Sequence, residues 1–124
     1  MPLLKWDPVD FLELLSVVPE VDEDGIGHRY CVDREPLRLE ISVWQYDSDI
    51  SIKLFCSPFP EPVAVINLLE CPGVRAVHDK QGSFLEFAPA NTFSGRYDGY
   101  SPIPYGLRLT VEPQIKIEPF SRQA

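Results

Sequence analysis

Two histidines, three cysteines and nineteen carboxylates hold whatever chemistry this chain can do. His28-x-x-Cys31 together with Cys71-x6-His78 supplies two nitrogens and two sulfurs, the donor set of a zinc site. Neither spacing is that of a zinc knuckle or a helical ligand pair, so no metal is expected. Asp22-x-Asp24-Gly25 opens like a calcium loop, and counting from Asp22 puts Gly27 at the sixth position. Ile26 then stands at the fifth, where such a loop needs an oxygen ligand. Gly25-Ile26-Gly27 lacks the third glycine of a dinucleotide fingerprint and follows an acidic turn, not a buried strand. A thiol enzyme would use Cys56 or Cys71 as nucleophile, His78 as base and Asp79 or Asp98 to orient it. Activation needs positive charge or a helix N-terminus beside the thiol. Both cysteines instead sit in or beside apolar strand patterns of an acidic chain, so no catalytic residue and no cofactor is assigned.

Two stretches remain that a bland domain does not need. Asn91 to Gly106 places Phe93, Tyr97, Tyr100 and Tyr105 among glycines and prolines with Arg96 and Asp98. Loops of this length in a compact domain are commonly functional, and Tyr and Arg dominate interface hot spots. The competing reading is that these aromatics close the open end of a sheet. The second stretch runs from Trp6 to His28, with seven acids, Asp22, Glu23 and Asp24 among them, and no Lys or Arg. It reads either as a solvated surface or as a patch that steers a basic partner.

Charge is divided unevenly along the chain. Residues 1 to 49 hold twelve acids against four bases, and residues 50 to 124 hold seven of each, so the whole net charge of −8 is N-terminal. That balance argues against nucleic acid as a partner, because a polyanion needs clustered positive charge. With 44% apolar and 24% charged residues in 124, the composition is that of one globular domain, 1–124. Three cysteines cannot all pair within the chain, the N-terminal residues carry no signal-peptide pattern, and no apolar run spans a membrane. These features point to a reduced, cytoplasmic protein; the oligomeric state is not legible.

The elements that must position these residues are one helix and many strands. Asp7 as cap, Pro8 at the first helical position and Asp10 in the first turn mark a helix start. Phe11, Leu14, Leu15 and Val18 then form one apolar face, and Pro19 is expected to end the helix near Val18. Beyond it the period is two. His28 to Asp33 reads as a first strand, and Leu37-Leu39-Ile41-Val43 and Ile50-Ile52-Leu54-Cys56 as a hairpin with Val43 opposite Ile52 and Ile41 opposite Leu54. Pro58, Pro60 and Pro62 mark a connector outside any ladder. Val63 to Leu69, nearly all apolar, reads as a central strand or one buried on both faces. Val74 to His78 and Ser83 to Phe87 pair through a turn with Gly82 left-handed, and Pro113 interrupts the last pattern from Leu107 to Ile117.

The expected fold is therefore α+β, mainly antiparallel β, a small sheet or sandwich of about six or seven strands with one N-terminal amphipathic helix over 8–18. The expected function is a non-enzymatic protein-interaction module: an inhibitor, adaptor or accessory subunit. Its partner would be a protein with a basic surface, met by Asp22, Glu23, Asp24, Arg96, Tyr97, Asp98 and Tyr100. The alternative is a small-molecule enzyme or carbohydrate-binding domain with His78, Arg96 and Asp98 converging in a pocket beside the loop.

Overall fold

The computed structural model describes residues 4–80, 82–93 and 97–122. Helix α1 is Pro8–Leu15, capped by the Asp7 carboxylate, which accepts from the Val9 N–H at 2.9 Å. Its end is earlier than Pro19 implies. Ser16 adopts a left-handed conformation, φ 57°, and donates its N–H to the Leu12 carbonyl, closing the last turn three residues before the proline. Phe11 and Leu15 are buried as expected, whereas Val18 lies beyond the helix and is 82% exposed.

Among the described residues nine antiparallel strands follow: β1 Glu20–Val21, β2 Gly27–Arg34, β3 Leu37–Trp44, β4 Asp49–Cys56, β5 Ala64–Leu68, β6 Val74–Asp79, β7 Gly82–Phe87, β8 Tyr105–Thr110 and β9 Lys116–Ser121. They form two sheets in sequence order, β1 to β5 and β6 to β9. The count exceeds six or seven because β1 is only two residues long and because Pro113 lies in a true break between β8 and β9. Val111 and Ile115 still reach the core from that connector.

The hairpin of β3 and β4 corrects the expected register by two residues. Ile41 faces Ile52, Leu39 faces Leu54 and Val43 faces Ile50, with Gln45 to Ser48 forming a four-residue loop in which Ser48 has φ 59°. Either register keeps the apolar sets on one face, since side chains alternate with period two; the loop length decides between them. A second correction concerns Val63 to Leu69. Strand β5 is an edge, bonded to β4 alone, and its residues alternate between half-buried and exposed, so the segment is neither central nor buried on both faces.

The inward residues of both sheets share one core. Tyr30, Leu39, Ile41 and Ile52 come from the first sheet, Val74, Leu85, Phe87 and Leu109 from the second. Phe11 bridges them, its ring 5.3 Å from Tyr30 and 6.2 Å from Phe87 by centroids, with Trp6 edge-on at 5.1 Å. Among the described residues no helix is long and apolar enough to cross a membrane.

Two outcomes follow from this packing. Phe11→Ala removes a ring that touches both sheets and the N-terminal segment, so unfolding in urea should show a loss of about 3–5 kcal/mol with Trp6 emission shifted to the red. The thiols differ in setting: Cys71 is buried, which pushes its pKa up to about 12, while Cys31 is exposed on the outer face of β2. Cys31 is also raised, first by partial desolvation and then by Glu40, its cross-strand neighbour. A neutral-pH thiol reagent should therefore label Cys31 slowly in the folded chain and reach Cys71 only on unfolding; fast labelling of Cys71 would contradict this packing.

Candidate functional site

The long segment between β7 and β8 owes its position to one buried carboxylate. Glu86 points away from the shared core, on the outer face of the second sheet, yet is 0% exposed. Across the ladder it faces Arg75 of β6 on one side and Arg108 of β8 on the other. Its two oxygens accept from Arg75 Nε at 2.8 Å, Arg108 Nε at 3.0 Å and Arg122 Nη2 at 2.8 Å. Burial alone would raise the carboxyl's pKa; the hydrogen bonds from Arg122, Arg75 and Arg108 outweigh it and hold the group below the ordinary range. Two of those arginines also reach the loop: Arg75 donates to the Tyr100 carbonyl and Arg122 to the Ile103 carbonyl.

The loop itself divides into an inward and an outward part. Tyr97 is 4% exposed, stacks on Phe93 at 4.6 Å, packs with Ala88 and Ile103, and donates its hydroxyl to the Ser101 carbonyl. Gly73 makes room for it, since a Cβ there would lie 2.2 Å from the Tyr97 ring. Asp98 then turns the chain. Its carboxylate accepts from the Ser101 hydroxyl and from the N–H groups of Ser101 and Tyr100, and those bonds, the Ser101 hydroxyl first, lower its pKa. Tyr100 emerges from this turn 75% exposed. Arg96, singled out in the sequence beside these residues, lies outside the described residues.

Two clefts are lined by the loop and by the early acids. One, of about 230 Å³, is lined by Trp6, Asp7 and Asp10 of the helix start together with Asp98, Gly99 and Tyr100; Lys5 lies along it with its stem against Gly99. The other, of about 320 Å³, lies at the β1 edge of the first sheet and is lined by Glu20, Asp22, His28, Arg29 and Trp44 among others. Trp6 of the first meets His28 of the second in edge contact at 5.1 Å, and the two linings have no residue in common. Five carboxylates line the two clefts against Lys5 and Arg29, and Arg29 is already bound to Glu20 at 2.9 Å. Asp10 registers the crowding: its pKa is raised, first by burial and then by repulsion from Asp7 and Glu13. Glu23 and Asp24 stand exposed in the turn between β1 and β2, outside both linings.

Sequence reasoning missed the roles of Trp6, Asp7 and Asp10 in this surface. Asp7 and Asp10 were accounted for as helix-start residues, and nothing local linked them to a loop ninety positions away. The expected convergence of His78 with Asp98 is not found: the His78 Nδ1 is hydrogen-bonded to Ser83 Oγ at 2.7 Å, and His78 lines neither cleft. Among the described residues no group of three or more His, Cys, Asp or Glu is arranged to hold a metal ion.

The loop's anchorage can be tested at Glu86. Glu86→Gln keeps the shape and leaves three guanidiniums without their anion; because each arginine keeps some solvent contact, a loss near the lower end of the buried-pair range, about 3 kcal/mol, is expected. The wild-type carboxyl has a depressed folded pKa, so its contribution is complete above the unfolded value of about 4.3 and is lost as pH falls through the folded one. Melting temperature against pH should accordingly fall less steeply below about pH 4 in the variant than in the wild type, with Asp98 supplying part of the slope that remains.

No family model matches the chain, and no curated protein matches it. A solved structure does share its fold: a chain from a contact-dependent growth inhibition toxin and immunity protein complex of Klebsiella pneumoniae 342 superimposes with a TM-score of 0.75. The match covers 98% of this chain and 100% of that one at 12% sequence identity, a likeness of fold.

Proposed function

We propose that this chain is an immunity-type protein that binds a toxin domain with a cationic surface and blocks it. The observation that carries the reading is the end-to-end likeness to a chain of a toxin and immunity protein complex. The electrostatics of the two clefts support the inhibitor side of such a pair. Asp7, Asp10 and Asp98 with Lys5 in the helix-start cleft leave a local excess of negative charge that a basic side chain would relieve at Asp10 and Asp7. Tyr100 beside them is a large, exposed aromatic held by a hydrogen-bonded turn, the kind of preorganised anchor that dominates interfaces. In this reading Tyr100 and Asp98 make contact, Tyr97 holds the loop from within, and Asp22, Glu23 and Asp24 steer the approach.

Deleting the gene for this chain in its native host should make the cells lose to their parents when grown packed on a surface and keep pace with them in dilute shaken culture. A plasmid copy should restore parity. Equal growth of deletant and parent on the surface argues against immunity. With the toxin domain in hand, Tyr100→Ala should weaken binding by more than ~1 kcal/mol, mainly through faster dissociation. Neutralising Asp22, Glu23 and Asp24 as amides should instead slow association and flatten its salt dependence. Normal affinity of the Tyr100 variant would remove the loop from the interface.

A further inference from the structure

Among the described residues, the first sheet ends on a strand that nothing defends. Of the four sheet edges, β1 is two residues long, β6 is met at Gly73 by Lys5 and lies against α1, and β9 carries Lys116, Glu118 and Pro119. Short length, cover, charge and proline are the devices that stop an edge from pairing with another chain. Strand β5, Ala64–Leu68, has an ordinary length for a strand and none of the rest. Its residues Ala-Val-Ile-Asn-Leu hold no charge and no proline, in a chain of net charge −8.

Its surroundings are apolar and unfinished. Val65 points outward and is 50% exposed, while Val63 and Leu69 at its ends are more than half exposed. Ile66 and Leu68 face the core but are only partly buried, since no strand among the described residues covers their far side. A sixth strand would cover them and bond the free edge.

We infer that the β5 edge receives an extended strand of another protein, β-branched or apolar at its centre and flanked by Lys or Arg. The charge pattern selects this occupant. Glu61 precedes the strand, Glu70 follows it, and Asp49 lies beside Glu70, accepting its N–H at 3.2 Å. Acids at both ends suit a basic-flanked strand in either direction. A second copy of this chain, paired antiparallel, would set Glu61 near Glu70 of its partner and bring together two molecules of charge −8. The inference stands apart from the toxin and immunity reading, because the edge is judged by the strand it accepts and not by the protein that brings it.

The probe is a synthetic peptide of alternating Val and Thr with two Lys at each end, and its control carries Glu in place of Lys. Titrated into the full ¹⁵N-labelled chain, the Lys peptide should shift the amides of 64–68 and slow their hydrogen exchange, with the Glu peptide at least tenfold weaker. Val65→Lys, which also sets a lysine opposite Lys53 of β4 and so lowers the melting temperature slightly, should weaken the Lys peptide at least tenfold with the amide spectrum of the rest of the chain unchanged. Glu61→Lys with Glu70→Lys should reverse the preference between the two peptides. No shift at up to about 1 mM peptide, shifts centred outside 61–70, or equal affinity for both peptides would each overturn the inference. So would sedimentation of the free chain as a dimer that Val65→Lys dissociates, since a second copy would then be the occupant.

Discussion

A single carboxylate under three guanidiniums ties the second sheet to the loop that follows β7. Removing Glu86 from water is costly, and a lone buried carboxylate would take up a proton. Arg75, Arg108 and Arg122 reverse that preference by direct hydrogen bonds, and two of them then use remaining donors on carbonyls of the loop. The network thus couples three strands of the second sheet, the chain after β9 and the segment 97–103. Phe120 reinforces it, with Arg108 4.4 Å and Arg122 5.0 Å from its ring centroid. The consequence for the surface is direct: with the loop backbone fixed, Tyr97 has no course but inward and Tyr100 none but outward.

Most of the architecture was legible in local pattern. Period two along Leu37 to Cys56 and Val74 to Phe87 names strands, and Asp7-Pro8 names the helix start, because both signals reside in neighbouring residues. The errors share a cause. Helix α1 ends at Ser16 through a left-handed conformation that a serine gives no hint of, and the β3–β4 register turns on a loop whose length two alternations leave open. Val63 to Leu69 is apolar enough for a central strand, but its place at an edge depends on which strands the rest of the chain supplies.

The site was legible only in its parts. Asp98 and Tyr100 stand out in sequence by composition, and Asp22 by charge. The cleft that Asp98 and Tyr100 share with Trp6, Asp7 and Asp10 brings the segment before the helix to a loop ninety positions on, which no local pattern records. Glu86 gave no local signal at all, since Ser-Phe-Leu-Glu-Phe reads as a strand with its polar residue in water. A trace of it did exist in the charge count: the second half of the chain is neutral although the first is strongly acidic, so its arginines had anions of their own to meet.

That division of charge also separates paired ions from unpaired ones. In the second half Glu86 accepts three arginines and Glu118 takes Lys116, and the ion pairs hold sheet and loop together. In the first half Arg29 and Arg38 go to Glu20 and Glu40, while Arg34 reaches across to Glu112. Asp7, Asp10, Asp22, Glu23 and Asp24 make no ion pair among the described residues. Asp7 caps helix α1 and Asp24 accepts the Ile26 N–H, but the mutual repulsion of the five carboxylates disfavours the compact state. Such a surface becomes favourable when a cationic partner completes it, which supports recognition as the work of the helix start, the β1–β2 turn and the outward arm of the loop. Glu86 and its arginines, by contrast, meet their charges within the fold and leave none for a partner to complete.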